Sequence, residues 1–149
     1  MSLQNWARNG WLIEHQSSPQ EIADLLAVAD RDLKDCRAKG LSEDRQMAIA
    51  YNAALQLATA ALAATGYRAT RDAHHYRVIQ SLTLTIGMDA KLVAKLDAFR
   101  KKRNISDYER VGLVSEKEAQ EMVALATQFR VDVSAWLREH HPNLLKQRK

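Results

Sequence analysis

The chain has 149 residues, 46% of them apolar and 27% charged, with five glycines and two prolines, which excludes a disordered, collagen-like or linker-type sequence. It is long enough for one domain with its own hydrophobic core. A single cysteine, Cys36, excludes a disulfide framework and a multi-thiolate metal site, and 22 Lys+Arg against 18 Asp+Glu leave a charge of only +4.

That excess permits an acidic partner such as RNA without requiring one, and Lys146, Arg148 and Lys149 at the end of the chain account for most of it. No basic start, apolar run and small-residue cleavage site mark a secretory signal, so a reducing cytoplasm is the expected compartment.

Helical periodicity dominates, and no stretch alternates as a strand does. Residues 1–17 carry Trp6, Trp11, Leu12 and Ile13 and read as an N-terminal arm or short helix. The first strong helix begins at Ser18, with Pro19 in the first helical position and Glu21 completing a capping box. Its inner face is Ile22, Leu25, Leu26, Ala29, Leu33 and Cys36, and Gly40 is the stop. Cys36 therefore reads as a core thiol rather than a nucleophile.

Ser42 caps a second helix, apolar nearly all round over 47–64 and rich in alanine. Its length raises the question of a membrane, but Tyr51, Asn52, Gln56 and Thr59 interrupt it, and the central helix of a bundle fits better. A third helix is expected over 72–86, with Tyr76, Ile79, Leu82, Thr83 and Ile86 inward and Gly87 as the break. The fourth starts at Asp89 and runs into Arg100, Lys101, Lys102 and Arg103. Turn chemistry in Asn104, Ser106, Asp107 and Gly112 predicts a loop over 104–114. Ser115 and Glu118 then cap a long last helix that ends at His140, His141 and Pro142.

These elements predict an all-α fold, an antiparallel up-and-down bundle of four to five helices over 18–140, with 141–149 as a basic tail. Trp6, Trp11 and Trp136 are expected to meet where the arm reaches the last helix.

Most motifs of catalysis are missing. The glycines are isolated, which excludes a phosphate loop or dinucleotide fingerprint, and neither H-E-x-x-H nor paired Glu-x-x-His occurs, so neither a metal nor an organic cofactor is implied. His74 and His75 diverge on a helix and do not chelate one ion. Either one lines an RNA or nucleotide site with Arg71 and Arg77, or both belong to a polar helix start.

The strongest signal is the run from Arg100 to Tyr108. Four successive cations span a full turn, so at least one faces the bundle or a partner. Arg103 offers a forked phosphate donor, Asn104 a hydrogen-bonding amide, and Tyr108 a ring that stacks or donates a proton. Arg100 and Lys102 add positive charge, and Asp107 completes the set of binding candidates. The alternative is structural: Arg103 pairs with Asp107 or Glu109, and Tyr108 covers the bundle end.

At Arg103, Asn104 and Tyr108 the sequence resembles the HEPN superfamily, whose hallmark is an arginine, usually a polar residue after it, and a histidine four to six residues on. The resemblance covers roughly 18–136 and includes the late position of the motif and the alanine-rich second helix. It implies a dimeric helical domain associated with RNA or nucleotides, found beside a nucleotidyltransferase or in a toxin–antitoxin setting. It also implies, as an alternative, a metal-independent ribonuclease with Arg103 and Tyr108 as catalytic residues. Tyr108 stands where the histidine belongs, and a phenol titrating near 10 is a poor general base at neutral pH. A third reading is a purely structural interaction bundle.

Overall fold

A computed structural model describes residues 2–108 and 113–145, without the side chains of 105–108. Among the described residues, six α-helices and one two-stranded ribbon form the chain. In order they are α1 (Leu3–Arg8), β1 (Leu12–Glu14), α2 (Pro19–Asp35), α3 (Glu43–Ala64), β2 (Tyr67–Ala69), α4 (His74–Gln80), α5 (Ala90–Tyr108) and α6 (Glu116–His140). Short 3₁₀ turns follow α4 (Ser81–Thr83) and α6 (Pro142–Leu145). The fold is an all-α helical bundle.

Hydrogen bonds between helices fix their directions. Gln46 Nε2 donates to the Cys36 carbonyl and Asn52 Nδ2 to Asp32, so α2 and α3 are antiparallel. Arg130 reaches Asp30 while Arg37 reaches Thr127, which sets α2 against α6 in the same sense. Lys95 pairs with Glu121 and Lys102 with Glu118, so α5 and α6 are antiparallel as well. The four long helices thus alternate up, down, up, down. α3 and α6 run in one direction and start level, where the Val114 N–H donates to Asp44 Oδ1.

α3 is the centre, packed most extensively on α2 and α6 and touched by α4, α5 and β2. Seven of its twelve buried residues are alanines, small enough to let flanking helices approach closely. Its length and apolarity match a membrane span, yet most of that stretch is buried inside the bundle. Leu57, Leu62, Phe129, Met122, Leu96 and Leu82 fill the spaces between the helices.

Several local expectations change. Residues 1–17 contain a short helix, one of their two readings, with Ser2 capping α1 and Trp6 buried, but beyond it β1 pairs with β2 where the sequence predicts no strand. Three-residue strands are too short for alternation to show in sequence. α2 ends at Asp35, earlier than Gly40, whose φ of +89° serves the following turn. Ser18 accepts from the Glu21 N–H, but the Glu21 carboxylate turns to His15 at 2.8 Å, so the capping box is only half made.

The helix expected over 72–86 is shorter. Ala73, with φ +51° and no capping side chain, precedes α4. Beyond Gln80 the Ser81 hydroxyl donates to the Val78 carbonyl at 2.6 Å, and the chain tightens into a 3₁₀ turn. Val78, Ile79 and Leu82 face inward, whereas Tyr76 and Thr83 face solvent.

The loop expected from residue 104 begins later, since α5 continues through Tyr108. Asn, Ser and Asp cost a helix only some tenths of a kcal/mol each, and neither proline nor glycine intervenes before Gly112. The tryptophans do not converge. Trp6 meets Trp11 edge-on at 5.6 Å, while Trp136 stacks near His140 and His141. Of the segment 141–149, residues 142–145 turn back onto α2 and α6, and 146–149 lie outside the described residues.

Candidate nucleic-acid interface

The cationic run sits inside α5, more than one turn before its end at Tyr108, and the last turn itself holds no basic residue. Its side chains take different partners. Asp97, nearly buried one turn earlier, accepts from Arg100 Nε at 2.7 Å and lies 3.5 Å from the Lys101 ammonium. Lys102 crosses to Glu118, the capping-box glutamate of α6. That hydrogen bond, with a second from the Ser115 N–H, holds the Glu118 carboxyl below its ordinary range. Arg103 lies over the Tyr51 ring, its guanidinium carbon 5.8 Å from the centroid.

Tyr51, from the middle of α3, is the buried floor of this corner, and its hydroxyl has no hydrogen-bond partner among the described residues. Burial pushes its phenol up to about 12, although Arg100 and Arg103 pull the other way. His75 lies on α4, where its ring meets that of His74 edge-on at 5.9 Å. Burial lowers its imidazole from the ordinary histidine range, and the charges of His74, Arg103 and Arg100 act the same way. α4 packs against α5, and the Arg100 guanidinium carbon lies 5.5 Å from the ring of Tyr76, the residue after His75.

From that corner an aromatic–guanidinium ladder runs outward. Arg100 lies 5.5 Å from the Tyr76 centroid, Arg77 lies 5.5 Å from the same ring, and Arg77 covers Trp11 at 3.8 Å. Each exposed contact of this kind contributes about 0.5–1 kcal/mol and fixes the plane of the guanidinium.

The arrangement collects Arg100, Arg103 and His75, with Asn104 partly buried one residue further on. Lys102 points away to α6, and the side chains of Asp107 and Tyr108, like Glu109, lie outside the described residues. His74 is anchored by Nδ1 at 3.1 Å from the Thr70 carbonyl. Sequence reasoning overlooked Tyr51, which its core position disguises, and the Tyr76 and Trp11 ends of the ladder. The density of Arg68, Arg71, His74, His75 and Arg77 within ten residues was the available signal.

Among the described residues, no group of three or more metal-binding side chains converges. A groove of about 780 Å³ lies elsewhere, between α2, Arg130 of α6 and the terminal turn at Leu144 and Leu145. Compared with known proteins, the chain matches no protein-family model and no curated sequence.

Proposed function

We propose that the protein is a HEPN-like, RNA- or nucleotide-associated binding module, dimeric and cytoplasmic, working with a nucleotidyltransferase or antitoxin partner. The observation that supports it best is the pair Arg100 and Arg103 on α5, each set against an aromatic ring, Arg100 5.5 Å from the Tyr76 centroid and Arg103 5.8 Å from that of buried Tyr51. Two guanidiniums about one turn apart on α5 direct positive charge toward a phosphate group, with Arg100 held in place by Asp97 through its Nε. Asn104 orients the ligand, and Tyr108 completes the motif on the next turn of α5.

A second reading, metal-independent RNA cleavage, is favoured by His75. Burial lowers the proton affinity of the His75 imidazole, which makes it a better candidate base for a ribose hydroxyl than a phenol titrating near 10.

The test is binding of labelled single-stranded RNA across a salt series, with EDTA present and intact RNA followed on gels. Arg103→Ala is expected to weaken binding and reduce the slope of log affinity against log salt by about 0.7, as one lost phosphate contact does. Equal affinity and slope in wild type and Arg103→Ala would contradict the binding reading. Cleavage that disappears in His75→Ala would establish the second.

A further inference from the structure

The cations that the sequence advertises most strongly are largely neutralised inside the fold, whereas a second group is not. Arg100 and Lys101 share Asp97, and Lys102 has Glu118. Arg68, Arg71 and Arg77, by contrast, make no ion pair among the described residues. Their segment from β2 through α4 holds one carboxylate, Asp72.

The ribbon's register places Arg68, Arg71 is exposed in the connection between β2 and α4, and Arg77 belongs to α4. Leu12 is opposite Ala69, and both are 3% exposed, so that pair faces the core. Side chains alternate along a strand, and the adjacent pair, Ile13 with Arg68, therefore faces outward. One position beyond Leu12, Trp11 lies beside Thr70, whose N–H donates to the Trp11 carbonyl at 3.1 Å. Trp11 is partly buried against the core beside Trp6. Arg77 lies flat on Trp11, and Tyr76, 36% exposed, follows between Arg77 and Arg100.

We infer that the outer face of the ribbon and α4, carrying Arg68, Arg71, Arg77 and the exposed ring of Tyr76, is a track for single-stranded nucleic acid. The inference rests on the preceding reading for its ligand class, while the residues are different ones. Charge complementarity selects a polyanion, and the interleaved flat rings select one with bases to stack. A guanidinium already seated on a ring presents its N–H edge outward at no further ordering cost, ready for a phosphate. Tyr76, 36% exposed, gives a base an accessible ring surface beside the Arg77 fork, which suits any sequence. A duplex hides its base faces and gains nothing from Tyr76.

The experiment is fluorescence anisotropy with a labelled twelve-residue oligouridine, a duplex of equal length, and polyglutamate as competitor. The proteins compared are wild type, Tyr76→Ala, Tyr76→Phe, Arg68→Ala/Arg71→Ala and Arg103→Ala, each checked for its unfolding transition. Tyr76→Ala is expected to lose about tenfold in affinity for the single strand with an unchanged salt slope, and Tyr76→Phe to bind as wild type does. The double arginine variant should lose about 0.7 from the slope for each arginine.

If Tyr76→Ala and the double variant bind as wild type while Arg103→Ala is weakened, the track is overturned and the α5 site stands. The reverse pattern would leave the track and remove the α5 site. Equal binding of duplex and single strand with Tyr76→Ala silent, or competition by polyglutamate as effective as by oligouridine, would overturn stacking recognition. Wild type that binds no oligonucleotide would overturn both.

Discussion

His75 and His141 share a property that has a direct stability consequence. Burial is the first cause of each depressed imidazole, followed by neighbouring positive groups: His74, Arg103 and Arg100 for His75, and His140 for His141. In the unfolded chain both take up a proton near pH 6.5, while in the fold they resist it. The unfolded state therefore binds more protons as the pH drops through 6.5, and stability present above that value declines below it. Thermal unfolding is expected to shift to lower temperature between pH 7.5 and 5.5, and the slope should flatten in His75→Gln/His141→Gln. An unchanged slope in that variant would place the sensitivity elsewhere. Cys36 shows how far a single residue was legible. Its place on an apolar helical face implied a core thiol, and it is buried, with burial raising its thiol and Sγ 3.2 Å from the Leu33 carbonyl.

At the scale of elements, the N-cap serines were readable, while the partner of a capping-box glutamate was not, since Glu21 turns to His15 instead. Ser115 and Glu118 form the reciprocal box at the start of α6, and Ser42 caps α3 as its position implied. Gly40 misled because a glycine with positive φ marks a turn without fixing where the helix before it stops. Residues 104–108 misled because weak turn preferences yield to an ongoing helix when no breaker intervenes. α4 shows the opposite outcome, where Ser81 and its hydroxyl end a periodic pattern early. Ser115→Ala removes a cap and one support of the Glu118–Lys102 contact, so a loss of about 1 kcal/mol is expected in urea unfolding. Val131→Ala on the exposed side of the same helix should stay within about 0.5 kcal/mol of wild type. A Ser115→Ala variant as stable as Val131→Ala would mean that the box contributes nothing.

Over the whole molecule, the alternation of α2, α3, α5 and α6 was legible because each helix carries its own apolar stripe and short connections force neighbours to reverse. What the pattern could not convey is which cations meet carboxylates. That depends on Asp97 and Glu118 approaching from a neighbouring turn and a neighbouring helix, and it transfers the unpaired positive charge from the α5 run toward Arg68, Arg71 and Arg77. The buried corner at Tyr51 and the ribbon pairing are likewise products of contacts between residues far apart in the chain.

The most direct test of a nucleic-acid face spanning α5, α4 and the ribbon is a titration of ¹⁵N-labelled protein with oligouridine, followed by amide shifts. Binding through this face predicts perturbations concentrated at residues 67–77 and 100–104, with the groove around Ala23, Leu26 and Leu144 undisturbed. Shifts confined to that groove, or none at a saturating excess of oligouridine, would contradict it.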